Sequence, residues 1–296
     1  MGTLEGHLLP AVFLLLYALY YSVLLSLALL WGRKVVKPPL PPREKRGGHS
    51  PWQWVPLEGI VKVVLTLIGI LGELFYPPGV NRTRLVDWEA PEQPFLFKES
   101  WQHFTMYSFF MLSGVVDIVS QSCLARQNVK LERAAEALAF YVVVLLMATH
   151  IENRGALEVR VHVLLLVPTF LVALVLNIEV WVPDQPPLWV LKTWMLLVLS
   201  SWLLQLCVVL YTPPSGQPWR AEKPEDMAFL ITFFSWHLGL MAILLAAVYG
   251  LCSLWLRHCS SRMGSPGAKY GMCPTESSRE ELQRLWAENE LQHAGV

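Results

Sequence analysis

Charge is what this chain has least of. Only 16% of its 296 residues are Asp, Glu, Lys or Arg, against about a quarter in soluble domains. The 23 basic and 23 acidic residues cancel, so no net field exists to draw in nucleic acid. Cysteine is scarce too, at five residues. None lies in a segment assigned below to the oxidising side, so no extracellular disulfide is expected. Phosphate loops, dinucleotide fingerprints, a serine-nucleophile elbow and the H-x-x-E-H or H-E-x-x-H spacings are all missing. Position 6 is glycine rather than Ser or Thr, which excludes an N-myristoylation start. No Lys or Arg precedes the first apolar run, whereas a cleaved signal peptide carries its charge in front.

What remains is overwhelmingly apolar. Hydrophobic residues make up 54% of the chain and mean hydropathy is +0.42. A bilayer span needs about 20 apolar residues. Seven runs of that kind occur, near 8–31, 54–76, 101–124, 134–150, 161–182, 188–211 and 227–256. Thirteen tryptophans, many near the ends of these runs, suit an interfacial aromatic belt. The expected fold is therefore all-α: a polytopic, seven-transmembrane helix bundle filling residues 1–257. A cytoplasmic tail over 258–296 is expected to be mostly disordered. Within it, Ser278 and Glu281 form a capping-box pattern before Leu282, Leu285 and Trp286, which predicts a short amphipathic helix near 279–291. Pro168 predicts a kink in the fifth span.

Orientation comes from the loops. Alternate connections, beginning with loop 32–51 and ending with the tail, carry Lys and Arg two to one over the other set. This bias puts the first set in the cytoplasm, the N-terminus outside and the C-terminus inside. The plasma membrane or secretory pathway is the expected location. The sequon Asn81-Arg82-Thr83 then lies on the outer side, close to the end of a span.

Ionisable residues inside such runs are costly and must pair or face water. Glu58 and Lys62 stand four apart on one helix face and are expected to neutralise each other. Glu73, Asp117, Glu136, Glu179 and Lys192 also lie in or near the spans. Depth then collects the histidines. With the N-terminus outside, His7, His103, His150 and His162 all sit at outer helix ends, beside Glu73. His237 is ten residues into the last span, about 15 Å inward by helix rise. Imidazoles gathered from separate helices are what a zinc site uses, with three protein ligands and an open position when catalytic. His7, His103, His150, His162 and His237 are the metal-ligand candidates, Glu73 and Glu152 the candidate bases, and Zn2+ the candidate ion; no cofactor is established by pattern alone. The structural alternative is that these are interfacial hydrogen-bonding residues.

Weaker signals sit on the inner side. Pro38, Pro41 and Arg43 fall in a P-x-x-P-x-Arg segment of the form that docks on SH3 grooves. Cys252 and Cys259 are juxtamembrane candidates for palmitoylation. Ala242, Ala246 and Gly250 form a small-residue seam expected to serve helix packing.

Several motifs together carry a resemblance. Gly6-His7-Leu8-Leu9-Pro10, Leu57-Glu58-Gly59, Gly72-Glu73, Trp101-Gln102-His103-Phe104-Thr105-Met106-Tyr107, the pair His150 and His162, Leu210-Tyr211 with Pro213-Pro214, and Trp236-His237 resemble the transmembrane epididymal protein family. That family is related to the transmembrane protein forty-five group. The match runs in order from residue 1 to about 257. It implies a multi-pass membrane protein, linked in some members to epididymis or epithelia, with no settled activity. Relatives often carry a histidine two residues after the first of the mid-chain pair, where this chain has Glu152.

The leading functional expectation is a non-enzymatic membrane component or partner-binding protein in a lipid bilayer. The alternative is a zinc-dependent intramembrane lipid hydrolase built on the outer histidines. A second alternative is a proton- or ion-coupled transporter using Glu58, Lys62, Asp117 and Glu179. A seven-span receptor is disfavoured, because neither a D-R-Y-like nor an N-P-x-x-Y motif is present.

Overall fold

The computed structural model describes residues 4–33, 55–183, 185–213, 216–217, 219–220 and 222–263. The proline-rich motif at Pro38, Pro41 and Arg43 and the tail helix expected near 279–291 lie outside the described residues. By internal contacts the chain divides into Met1–Cys252 and Ser253–Val296, and the site described below belongs to the first unit.

Among the described residues there are seven helices: α1 Leu4–Leu30, α2 Leu57–Phe75, α3 Lys98–Ser122, α4 Val129–His150, α5 Ala156–Trp181, α6 Pro186–Tyr211 and α7 Pro224–Met263. The only pairing of extended backbone among them is an isolated bridge between Val86 and Phe95 in the α2–α3 loop. Five helices, α1, α3, α5, α6 and α7, are long and apolar enough to cross a membrane. The other two hold Glu58, Lys62 and Glu73 within 19 residues, and Lys130, Glu132, Arg133 and Glu136 within 22.

Local chemistry explains the helix ends. α4 begins five residues before its apolar run because the Asn128 side chain accepts from the Leu131 amide at 3.1 Å, satisfying one of the first-turn donors. Pro186 and Pro187 open α6, where a missing N–H costs nothing. α2 ends under Arg82, whose Nη1 donates to the carbonyls of Glu73 and Tyr76 at 2.8 and 3.0 Å. α5 continues through Pro168.

Six helices close a ring. α1 packs on α6, α6 on α5, α5 on α4, α4 on α3 and α3 on α2, and a thinner α2–α1 contact completes the circuit. α2 and α3 cross most closely at two glycines. A Cβ on Gly59 would stand 2.7 Å from the Gly114 carbonyl oxygen, and one on Gly114 would stand 2.9 Å from that of Gly59. α7 lies against α6 from outside the ring. Leu230 and Phe234 enter the core, and Trp194 Nε1 donates to the Leu238 carbonyl at 3.0 Å. Among the described residues, no helix packs on the seam expected at Ala242, Ala246 and Gly250. Both alanines are exposed, and a Cβ on Gly250 would meet nothing within 4 Å. Small residues permit close approach only where a second helix arrives, and here it arrives at α2–α3.

Two charge clusters are buried in the ring wall. Lys62 Nζ lies 2.9 Å from Asp117, 3.6 Å from Glu58 and 4.0 Å from Glu136. The Tyr17 and Tyr21 hydroxyls donate to Glu58 at 2.9 and 2.6 Å. The second cluster centres on Glu179, fully buried, which accepts from Arg133 and Lys192. Each group thus has the opposite charge that burial demands.

Candidate metal centre

Four histidines meet at one end of the ring. His7 lies in the second turn of α1, His103 in the second turn of α3, His150 closes α4, and His162 lies in the second turn of α5. Their rings form a circuit. Centroids are 5.9 Å apart for His7–His103, 5.5 Å for His103–His150, 5.4 Å for His150–His162 and 5.8 Å for His162–His7. His7, His150 and His162 are all buried, and each offers a ligand nitrogen within 4.8 Å of the others.

The turn between α4 and α5 brings two of these rings together. Asn153 takes a left-handed backbone (φ 59°), a conformation that asparagine tolerates. Arg154 then pairs with Glu99 of α3 and, at 3.5 Å, with Glu158 of α5. The α4–α5 turn is thereby tied across the start of α3.

Neighbours fix the imidazole tautomers. The Thr149 hydroxyl donates to the Leu146 carbonyl at 3.0 Å, so it accepts from Gln102 Nε2, also at 3.0 Å. That turns Gln102 Oε1 toward His150 Nδ1, 3.0 Å away. An amide oxygen only accepts, so His150 carries its proton on Nδ1 and a lone pair on Nε2. His162 Nδ1 donates to the Glu158 carbonyl at 2.7 Å, which sets the same tautomer. Its Nε2 is buried without a hydrogen-bond partner among the described residues. His103 Nδ1 donates to Glu73 Oε1 at 2.9 Å. His7 Nδ1 lies 3.2 Å from the Tyr211 hydroxyl, at the end of α6. This is the pattern of metal-ligating histidine, in which one ring nitrogen is held by a carbonyl or carboxylate so that the other presents its lone pair.

The remaining candidates lie elsewhere. His237 is bonded through Nδ1 to Ser201 Oγ at 3.0 Å, with its ring 5.6 Å from Trp202; it belongs to the α6–α7 contact and not to the circuit. Glu152 is exposed on the α4–α5 turn. Glu58 and Lys62 sit in the Lys62 cluster of the ring wall. Cys252 and Cys259 are half-buried free thiols on α7. The Asn81 side chain accepts from the Thr83 amide and hydroxyl at 3.0 and 2.7 Å. Gln102, Tyr211 and the Glu158 carbonyl orient the rings, yet their types alone gave no sign of it. Gln102 and Tyr211 stand in the motifs that carry the family resemblance, and Gln102 is also next to His103, but neither fact names a ring-orienting role.

A cavity of about 200 Å³ opens beneath the histidines and runs inside the ring to Tyr17, Lys62 and Glu136. Its wall between these ends is apolar, with Phe13, Leu14, Phe110, Phe140, Val143 and Leu203 among the lining side chains. The arrangement therefore couples lone-pair nitrogens to an oily chamber.

Comparison with known proteins places the chain in a family. Residues 129–250 match a family of unknown function (DUF716). Transmembrane epididymal protein 1A of Mus musculus is 33% identical over 292 residues, which is 99% of this chain and 94% of that protein. Transmembrane epididymal protein 1 of Rattus norvegicus is 34% identical over 91% of this chain and 87% of its own length. Its namesake from Homo sapiens is 38% identical over 56% of this chain and 60% of its own length. With apolar helices of spanning length and relatives that match nearly end to end, the chain is an integral membrane protein and belongs to the transmembrane epididymal protein family.

Proposed function

We propose that this chain is a seven-span membrane protein that holds a zinc ion on His7, His150 and His162, at its outer end, and hydrolyses an ester or amide bond in a lipid. The observation that carries the reading is the geometry of three buried imidazoles from three helices, two of them held as Nδ1–H tautomers. A buried lone pair with no donor, as at His162 Nε2, costs about 1–3 kcal/mol; a cation on it removes that cost. Three histidines with no thiolate suit zinc, and three protein ligands leave a position for water.

Bound there, zinc supplies Lewis-acid polarisation and an activated water. The protein supplies proton handling beside it. His103, held by Glu73 through Nδ1, is the residue that would accept a proton from water on Nε2 and pass it to the departing alkoxide or amine. One water is consumed, the carbonyl carbon gains a hydroxyl, and acid and alcohol or amine leave. Supporting the seven-span topology are the two-to-one basic bias of the loops and the ion pairs that Glu58, Lys62, Arg133 and Glu136 of α2 and α4 make with neighbours.

Elemental analysis of the full chain, purified in detergent without chelator, tests the reading. About one zinc per chain is expected for wild type, with loss in His150→Ala combined with His162→Ala. No metal in either, even after zinc supplementation, overturns it. That result would leave the competing reading, a non-enzymatic membrane component whose histidines only join helix ends.

A further inference from the structure

The cavity's shape names a substrate class. We infer that it is a slot for a single linear acyl chain, entered sideways between α1 and α2, with the chain's polar head at the histidines. The inference rests on the metal reading for the position of the head alone.

Length comes first. On α1 the lining runs from His7 to Tyr17, and on α4 from His150 to Glu136. These separations are about 15 and 21 Å by helix rise. One leaflet of a hydrocarbon core is about 15 Å deep, so an extended lipid chain matches the slot. Width comes second: 200 Å³ drawn out over that length leaves no room for two chains abreast. A two-chain lipid would have to leave its other chain outside.

Polarity sets both ends. Imidazoles stand at one end, and the Tyr17, Lys62 and Glu136 cluster closes the other. A methyl terminus pushed against that cluster would desolvate charged groups, which is costly. The floor thus acts as a stop on chain length.

The entrance follows from packing. The α1–α2 seam is the thinnest in the ring. Val61 of α2 lines the cavity and is 43% exposed. So high an exposure on a lining residue at the thinnest seam fits a mouth there. That opening faces the flank of the bundle, where a lipid chain would lie.

Photolabelling of the full chain in lipid nanodiscs tests this. The reagents are a single-chain fatty acid with a diazirine near its methyl end and a diacyl phospholipid carrying the same group. The fatty acid is expected to label slot residues such as Phe13, Val143 and Phe140, while the phospholipid labels only outward residues such as Leu16 and Leu67. Val143→Phe should cut slot labelling at least tenfold with bound zinc unchanged. Leu65→Phe, nearer the entrance, serves if the first variant fails to elute as a folded species. Labelling by both reagents on outward residues only overturns the slot. Zinc without slot labelling ends this inference and spares the metal reading; slot labelling without zinc does the reverse.

Discussion

Gln102 does the most at the scale of one residue, because it converts a threonine hydroxyl's orientation into a histidine tautomer. Gln102→Leu removes the acceptor for His150 Nδ1 and frees the ring to rotate or to shift its proton. Loss of such a supporting partner costs about 10–100-fold in metal affinity. The proposed centre should weaken by that factor in a competition titration against a zinc-chelating dye, and Gln102→Glu, which keeps an acceptor, should recover most of it. Unchanged affinity in the leucine variant would mean that His150 does not bind through Nε2. Glu179 makes a different kind of prediction. Its carboxylate accepts from both Arg133 and Lys192, so Glu179→Leu strands two buried cations. Breaking a buried pair costs about 3–5 kcal/mol, and a denaturant midpoint measured in detergent should fall accordingly, with zinc content intact if the protein is still folded. A shift near zero would show that water reaches this cluster. Depth was legible in the sequence for these residues, since counting from helix ends brings His7, His103, His150 and His162 to one level. Direction around the helix was not. α1, α5 and α6 carry apolar residues on every face, so no stripe tells which side turns inward, and His237 fell on a helix outside the ring.

Among elements, the α2–α3 crossing is the least tolerant contact. The two glycines let backbones meet, and a side chain at either would enter the opposite carbonyl. Overpacking of this kind costs about 1–3 kcal/mol. Gly59→Val should lower the thermal midpoint, whereas Gly250→Ala should leave it level or raise it, because alanine favours helix over glycine by about 1 kcal/mol and nothing lies near. Equal losses at both positions would contradict the packing described. Helix positions themselves were readable from apolar runs, with one instructive shortfall. The first turn of α4 is charged, so hydropathy passes over it, and only the Asn128 cap marks its start. Close glycine contacts are less readable, because Gly59, Gly114 and Gly250 look alike until a partner helix is placed beside them.

For the whole molecule, the question is what keeps α1 in the ring. Its contact with α2 is thin, so the polar tie there matters, Tyr17 and Tyr21 on Glu58 partway along, as does the hold of His7 on Tyr211 of α6 at the end. No local pattern could reveal this closure, since it joins the first helix to the second and sixth at once. A metal on His7, His150 and His162 would staple α1 to α4 and α5 across the ring. An ion present at a thousand times its dissociation constant adds about 4 kcal/mol to stability, so chelation should lower the thermal midpoint of the wild type and leave that of the His150→Ala, His162→Ala variant unmoved. Hydrogen exchange then locates the effect. Without metal, amides in the first turns of α1 should exchange faster, as should the α4–α5 turn, because both lose a shared anchor. Amides of α7 should not change, since α7 contributes nothing to the centre and holds to α6 through apolar contacts and Trp194. Exchange that rises equally in α7 would mean that chelation unfolds the bundle generally. Exchange that rises nowhere would mean that the histidines hold one another without an ion.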